Sequence, residues 1–252
     1  MAIVTGGSRG LGRHIVAAPI LAGAQVGCLA RASRDLDEVA GEHGDRVLVV
    51  PCDVGSSGSV EAAIAEVVER FGRLDILVDN AAIFQPFTLE EARDEEIEAH
   101  VAVNLLGPMR CIRASIPHFR RCEGQIVIVS SESVRMPFPF LTVYAASKAG
   151  AETLAAGLRD DRIRVTILRS GAVAGTSGHL GWTSERAERF LAAIQRSGHA
   201  AFSGTAADPR SMANTLLAVL ALPPDVNIDL IEARGALPMP AAVSRTVIEE
   251  AA

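Results

Sequence analysis

Short apolar runs alternate with longer amphipathic stretches along the whole chain. Apolar runs that predict buried strands lie at 2–4, 24–30, 46–50, 74–78, 125–130, 163–168 and 227–232. Apolar residues recur at helical spacing near 11–22, 34–42, 57–71, 93–115, 143–159, 184–196 and 209–221. Because parallel strands are joined by crossover connections, usually helices, this order predicts a doubly wound α/β fold with seven mainly parallel strands and helices on both faces.

Composition and charge narrow the class of protein. The chain has 252 residues, 49% of them apolar, and no repeat or linker divides it, so we expect a single domain over residues 1–252. The net charge is −6 and the basic residues are scattered, which argues against nucleic acid or an anionic membrane and favours a small-molecule partner. The longest stretch without Asp, Glu, Lys or Arg, 14–30, is interrupted by proline and glycine, so we expect a cytoplasmic protein.

Neither the cysteines nor the histidines have the spacing of a metal site. The four cysteines form no CxxC pair, and the six histidines form no HExxH motif. We therefore expect reduced, mostly buried thiols and no bound metal.

A glycine-rich segment, TGGSRGLG, follows the first predicted strand directly and precedes a predicted helix. Thr5, Gly6, Gly10 and Gly12 occupy this turn. Glycine there allows positive φ, close approach of the backbone to a pyrophosphate, and close packing of the helix on the sheet. The position of the segment therefore predicts a dinucleotide-binding Rossmann fold rather than a flexible loop.

The end of the second strand indicates which dinucleotide is bound. A carboxylate there would bind the ribose 2′-hydroxyl, whereas a cation would favour a 2′-phosphate. The strand is followed by Arg31 with no carboxylate before Asp35, and Arg9 lies in the glycine-rich turn, so we predict NADP(H). Alternatively, both arginines are ordinary solvated residues. Asp53, after the third strand, could hold the adenine amino group or cap a helix.

The chain contains one tyrosine, Tyr144, and one lysine, Lys148, four residues apart in a predicted helix. That spacing places both side chains on one helix face. A phenol is a poor acid or base at neutral pH unless a cation stabilises its phenolate, and Lys148 would supply that cation. Tyr144 is therefore the predicted general acid for carbonyl reduction, or the base for the reverse oxidation. The alternative is a surface tyrosine beside a solvated lysine.

These motifs and the pattern between them resemble the short-chain dehydrogenase/reductase family, from about residue 2 to 232. The resemblance implies a catalytic serine at Ser131, with Ser130 and Ser133 as nearby alternatives, whose hydroxyl would bind the substrate carbonyl. It also implies that Asn104 holds a water in a proton relay to the lysine. The implied catalytic residues are Asn104, Ser131, Tyr144 and Lys148.

The same resemblance implies which residues contact the cofactor. They lie in the glycine-rich turn, after the second, third, fourth and sixth strands, and in the catalytic pair. They are Thr5, Gly6, Ser8, Arg9, Gly10, Leu11, Gly12, Arg31, Asp53, Val54, Asn80, Ala81, Ala82, Tyr144, Lys148, Gly171, Val173 and Thr176.

Three segments depart from the family pattern. The usual Asn-Asn-Ala-Gly is replaced by DNAA at 79–82, where Ala82 narrows the backbone options beside the cofactor and Asp79 introduces a charge that needs a hydrogen-bonding partner. The usual Pro-Gly after the sixth strand reads Ser170-Gly171. The stretch between Lys148 and the sixth strand is several residues short, so we expect the catalytic helix to end early, near 158–161. The family commonly uses this helix at its subunit interface, and a homodimer or homotetramer is the expected assembly.

Aromatic residues mark two candidate walls of a substrate pocket. Residues 175–207 occupy the place of the family's substrate lid and hold the single tryptophan, and MPFPF lies at 136–140. The predicted substrate-binding residues are Ser131, Met136, Phe138, Tyr144 and Trp182. Their character favours an apolar or aromatic carbonyl or alcohol substrate. The alternative for 175–207 is an amphipathic helix packed on the sheet edge.

The sequence thus predicts an NADP(H)-dependent oxidoreductase that reduces a ketone or aldehyde, or catalyses the reverse reaction. A 3-oxoacyl carrier-protein reductase is an alternative, in which Arg113, Arg120 and Arg121 would meet an acidic carrier protein. A non-catalytic NADP(H)-binding sensor or partner protein is another, suggested by the departures at 79–82 and 170–171.

Overall fold

The computed structural model describes residues 1–119, 124–158, 163–176, 182–199 and 205–236. Each predicted strand and helix has a counterpart in it. The strands are β1 (Ala2–Thr5), β2 (Val26–Ala30), β3 (Val47–Pro51), β4 (Ile76–Asp79), β5 (Gln125–Ser131), β6 (Arg164–Ser170) and β7 (Leu230–Ala233). The helices are α1 (Gly10–Leu21), α2 (Arg34–His43), α3 (Ser57–Phe71), α4 (Asp94–Asn104), α5 (Leu106–Phe119), α6 (Thr142–Gly157), α7 (Ser184–Ser197) and α8 (Pro209–Leu220).

The seven strands form one sheet in the order β3-β2-β1-β4-β5-β6-β7, and every neighbouring pair is parallel. Val4 of β1 pairs with Cys28 of β2 on one side and with Val78 of β4 on the other. The strand order therefore reverses between β1 and β4. The predicted doubly wound fold is confirmed, and a ligand crevice is expected at the carboxyl ends of these two strands.

Helices cover both faces of the sheet. On one face, Ile64 of α3 shares a buried cluster with residues of α5 and α6. On the other, Ile15 of α1, Val39 of α2 and Leu216 of α8 share a second cluster. Because neither face of the central strands meets water, these strands are continuous apolar runs rather than alternations of apolar and polar residues.

The helix predicted at 93–115 is two helices, α4 and α5. Leu105 departs from helical geometry between them, with φ −117° and ψ −56°. Pro108, in the first turn of α5, has no N–H, and in a continuous helix its ring would crowd the carbonyl of Asn104. The helix therefore ends at Asn104 and restarts at Leu106.

Among the described residues, no helix is both long and apolar enough to cross a membrane. Cys28, Cys52 and Cys111 are buried free thiols, and Cys122 lies outside the described residues. Burial raises the pKa of Cys28 to about 12, so this thiol stays protonated.

Candidate active site

A cavity of about 1070 Å³ opens along the carboxyl edge of the sheet. It reaches from the glycine-rich turn, across the ends of β1 and β4, to Ser131 and α6. All of the predicted cofactor residues except Thr5 line it. The fold therefore brings together segments that are up to about 170 residues apart in the sequence. They meet where the strand order reverses, which is the expected place for a ligand crevice in such a sheet.

The glycine-rich turn has the backbone geometry that glycine permits. Gly6 and Gly10 have φ of 64° and 54°, in the left-handed region. A Cβ on Gly12 would collide with the carbonyl oxygen of Gly6. Gly10, Leu11 and Gly12 form the first turn of α1 and line the cavity, where backbone N–H groups of a helix start lack intrahelical partners.

Two exposed arginines border one end of the cavity. Arg9 precedes α1 and Arg31 follows β2, and both line this end. Among the described lining residues the carboxylates are Asp53 and Glu132. The Asp53 carboxylate accepts a hydrogen bond from the Gly55 N–H at 2.8 Å, so it closes a turn instead of capping a helix. Ser56 is the residue that caps α3.

Hydrogen bonds of the Thr5 side chain connect the ends of β1 and β4 at the floor of the cavity. Its hydroxyl donates to Asp79 Oδ1 at 2.8 Å and accepts from the N–H groups of Asn80 and Ala81, both at 3.0 Å. The side-chain amide of Asn80 donates to the carbonyls of Thr5 and Gly6. Thr5 was predicted to contact the cofactor, but its buried side chain lies beneath the lining and holds the backbone that faces the cavity.

The predicted catalytic pair lies on α6, with Ser131 opposite at the end of β5. Tyr144 and Lys148 are one helical turn apart and both line the cavity. Burial raises the pKa of Tyr144 to about 12, and a hydrogen bond with Ser131 opposes part of this rise. Burial lowers the pKa of Lys148 to about 8, while the charges of Asp79 and Glu152 oppose the fall. Lys148 Nζ donates to the Val129 carbonyl at 2.7 Å.

The three candidate serines have different surroundings. The Ser130 hydroxyl donates a hydrogen bond to Glu152 Oε1 at 2.6 Å. Ser133 is buried, and its N–H donates to Ser131 Oγ at 3.2 Å. Of the three, Ser131 is the one whose side chain opposes the rise in the pKa of Tyr144.

Asn104 is fully buried and lies outside the cavity lining. Its Oδ1 accepts from the Ile83 N–H at 2.9 Å, and its Nδ2 donates to the Ile83 carbonyl at 3.0 Å and to Ser147 Oγ at 3.2 Å. Asn104 thereby fixes the segment that follows β4 against α6. Its predicted part in a water relay stays a prediction.

The end of the cavity beyond Tyr144 is apolar. Phe84, Val103, Phe138, Leu141 and Phe190 are among its lining residues. Phe84 was not singled out from the sequence, yet its ring meets the Tyr144 ring edge-on with centroids 5.0 Å apart. An aromatic residue in the loop after a central strand is the signal that could have indicated it.

Two of the predicted substrate residues lie outside the cavity lining. Met136 is half-buried and does not line the cavity, whereas Phe138, two residues later, is buried and does. Trp182 also lies outside the lining, where its ring packs against Phe84 and Phe190 with centroids 5.4 Å from each. Phe138 lines the cavity as predicted.

Within the predicted lid at 175–207, residues 177–181 and 200–204, including Phe202, lie outside the described residues. α7 covers the apolar end with Phe190 and Ile194. Arg186 pairs with Glu96 at 3.1 Å, and Arg189 pairs with Glu91 at 2.9 Å. The described contacts of α7 are therefore with the segment after β4 and with α4 rather than with the sheet edge, and its role as a substrate lid stays a prediction.

The other departures from the family pattern also lie at the cavity. Ala82, Ser170 and Gly171 line it, and Thr176 Oγ1 donates to the Val173 carbonyl at 3.1 Å. α6 ends at Gly157, and residues 159–162 lie outside the described residues.

Of the arginines considered for a carrier protein, Arg113 pairs with Glu61 at 2.9 Å. Arg120 and Arg121 lie outside the described residues.

Known proteins resemble this chain in sequence and fold. A family model described as short chain dehydrogenase matches residues 1–187. The 11-beta-hydroxysteroid dehydrogenase-like 3 protein of Arabidopsis thaliana is 33% identical over 181 residues, 68% of this chain and 58% of that protein, so the chain spans less than two thirds of this relative. An alcohol dehydrogenase from the archaeon Thermococcus sibiricus, complexed with 5-hydroxy-NADP, has a TM-score of 0.79 at 27% identity, covering 95% of this chain and 97% of that one. The 3-ketoacyl-(acyl-carrier-protein) reductase of Brucella melitensis, complexed with NADH, has a TM-score of 0.78 at 28% identity, covering 94% and 98%.

Proposed function

Because the chain belongs to the short chain dehydrogenase family, we propose that it is an NADP(H)-dependent oxidoreductase that interconverts a ketone or aldehyde and the corresponding alcohol. The observation that carries the proposal is that Ser131, Tyr144 and Lys148 line the same cavity as the glycine-rich turn. A positioned acid beside a dinucleotide site is what hydride transfer to a carbonyl requires.

The residues of the turn fit a dinucleotide. A Cβ on Gly6 would stand 2.8 Å from Ala81 Cα, so a side chain there would fill the space beside the floor. The first turn of α1 lines the same space and suits a pyrophosphate. Bound there, the cofactor would supply or accept the hydride at its nicotinamide ring.

The protein's own residues would manage the proton. The hydroxyls of Ser131 and Tyr144 would both donate hydrogen bonds to the substrate oxygen, which gains negative charge during reduction. Tyr144 would then transfer its proton to that oxygen. Lys148 would stabilise the phenolate left behind and bind the nicotinamide ribose, since an ammonium group favours the ionised form of a nearby phenol.

NADP(H) is preferred over NAD(H) because of the charges at the far end of the cavity. Arg9 and Arg31 are exposed there and free to meet a 2′-phosphate. The carboxylate that lines this end, Asp53, is engaged with the Gly55 N–H. The related structures include one complexed with 5-hydroxy-NADP and one with NADH, so the preference rests on this chain's own arginines.

An uncharged, apolar or aromatic substrate fits the other end. The lining there includes Phe84, whose ring meets that of Tyr144, and Phe190, whose ring lies edge-on to Phe84 with centroids 6.3 Å apart. The curated relative from Arabidopsis thaliana is named for a steroid dehydrogenase, which agrees with an apolar substrate. We also propose that the protein is a single domain, that it forms a homodimer or homotetramer, and that it is cytoplasmic.

The test is oxidation of NADPH and of NADH against a panel of ketones, aldehydes, quinones and 3-oxoacyl thioesters, with Tyr144→Phe as the matched control. We expect turnover with NADPH and an apolar carbonyl compound that falls at least about a thousandfold in the variant. Faster turnover of 3-oxoacyl thioesters than of simple ketones would favour the carrier-protein reductase. Tight NADPH binding without turnover of any panel member would favour the non-catalytic sensor.

A further inference from the structure

We propose that Asp79 is the counterion of Lys148, a positioning residue that holds the lysine ammonium charged at neutral pH. The proposal rests on the proposed role of Lys148 in the reaction. It gives a function to one of the departures from the family pattern, the carboxylate at the start of DNAA.

The sheet places the two groups together. Asp79 ends β4 and is in register with Ile128 of β5. The next residue along β5, Val129, is the one whose carbonyl accepts from Lys148 Nζ at 2.7 Å. Leu77 belongs to the cluster on the α6 face, and side chains two residues apart on a strand share a face, so Asp79 points to the face from which Lys148 arrives.

The neighbours of Asp79 other than Lys148 do not compensate the negative charge of its carboxylate. Its side chain is 2% exposed, and Oδ1 accepts from the Thr5 hydroxyl. Oδ2 has no hydrogen-bond partner within the described part of the chain. A buried carboxylate with one neutral donor is costly unless an opposite charge is close, and Lys148 supplies that charge.

Glu152, the second carboxylate near Lys148, is already neutralised. Both of its oxygens bind the Arg169 guanidinium, at 2.8 and 2.6 Å, and Oε1 also accepts from Ser130. A carboxylate so paired has little negative potential left for the lysine. Asp79 is therefore the larger of the two influences on the charge state of Lys148.

Within the described part of the chain, the cysteines and the tyrosine that surround the pair are neutral at neutral pH. Cys52 and Cys111 face Asp79, and burial raises the pKa of both thiols. Tyr144, one turn before Lys148, has a pKa of about 12. Burial raises the pKa of Asp79 to about 6 and lowers that of Lys148 to about 8, so both members of the pair are charged between these values.

The single lysine makes a direct test possible. Protein grown on lysine with an NMR-active carbon at Cε gives one lysine signal, whose shift with pH reports the pKa of Lys148. In Asp79→Asn, which keeps an acceptor for Thr5 but removes the charge, we expect this pKa to fall by about one pH unit. Asp75→Asn is the matched control, because Asp75 precedes the same strand at its opposite end and pairs with the N-terminal amine; there the pKa should stay unchanged.

An unchanged Lys148 pKa in folded Asp79→Asn, or an equal fall in Asp75→Asn, overturns the proposal. The wild-type titration provides a second test should Asp79→Asn fail to fold. The lysine signal should show a smaller displacement near pH 6, where Asp79 takes up its proton, and a single inflection would contradict the pairing. Neither measurement needs a substrate, so a protein without turnover would overturn the proposed function and leave this test intact.

Discussion

The indole N–H of Trp182 donates a hydrogen bond of 3.1 Å to the carbonyl oxygen of Phe84, 98 residues earlier in the chain. The bond joins the segment before α7 to the loop after β4. It holds the Phe84 ring against the Tyr144 ring. The tryptophan therefore shapes the apolar end of the cavity from behind the residues that line it.

Phe84→Ala should weaken the binding of apolar substrates. Loss of a large ring from the wall removes apolar contact area, so we expect KM for an aryl ketone to rise about tenfold or more with a smaller change in kcat. For bulkier ketones KM should rise less, because the space left by the ring admits them. Steady-state kinetics over a series of ketones of increasing size would measure this. Phe71→Ala, outside the cavity lining, is the control, and equal losses in both variants would speak against a role for Phe84 in specificity.

Arg31→Ala should reduce the affinity for NADPH and leave that for NADH unchanged. Loss of one charge-assisted contact with a 2′-phosphate corresponds to about a tenfold weaker Kd. Isothermal titration calorimetry with both cofactors gives the two constants. Arg34→Ala removes a neighbouring arginine that is 91% exposed and pairs with Glu38, and it should leave both constants near the wild-type values. A parallel loss for NADH in Arg31→Ala would contradict the assignment.

The single tyrosine should ionise only in strongly alkaline solution in the cofactor-free protein. Burial raises its pKa from 10.0 to about 12, so the folded state holds this proton more tightly than the unfolded state. The stabilisation from the protonated phenol is complete below about pH 10 and is lost as the pH rises towards about 12. The tyrosinate absorbance in the near ultraviolet follows Tyr144 alone, because the chain has no other tyrosine. Urea unfolding of Tyr144→Phe should show a weaker loss of stability over this range, and a midpoint near the free phenol value would refute the burial argument.

Arg169→Leu should be strongly destabilising. Among the described residues, the substitution leaves Ser130 as the remaining hydrogen-bond donor to the buried Glu152 carboxylate, at a cost of about 3 kcal/mol in the free energy of unfolding. Arg169→Leu combined with Glu152→Leu should recover much of that loss, because no unpaired charge then remains. Arg113→Leu breaks the exposed pair with Glu61 and should cost less than about 1 kcal/mol. Denaturant unfolding of the wild type, Arg169→Leu, Glu152→Leu, the double variant and Arg113→Leu tests this. Additive effects of the substitutions at Arg169 and Glu152 would be inconsistent with a coupled pair.

The alternation of apolar runs and helical patterns predicts the strands and the fold class because a parallel sheet covered on both faces leaves an uninterrupted apolar signature. The break between α4 and α5 was not predicted, since Pro108 is tolerated in the first turn of a helix and only the position of the helix start shows its effect. The bounds at β2 and β7 also differ by a few residues. Local patterns define strand cores better than strand ends.

At the site, Tyr144 and Lys148 were predictable because helical spacing alone places them together. The glycine positions in the turn were also predictable locally, because the turn lies directly between a predicted strand and a predicted helix. Phe84, Glu152 and Arg169 were not, because their contacts join β4, α6 and β6 across long sequence separations. The location of Trp182 behind the lining, rather than in it, likewise depends on tertiary packing that no short sequence pattern encodes.

The family match ends at residue 187, whereas Phe190 and Ile194, which close the apolar end of the cavity, come later on α7. Tyr144, Lys148 and the glycine-rich turn all lie within the matched part. Under the proposed function, the outer half of α7 could change in sequence to suit another substrate while the residues proposed to transfer the proton stayed the same. Divergence among homologues of this chain should accordingly concentrate after residue 187.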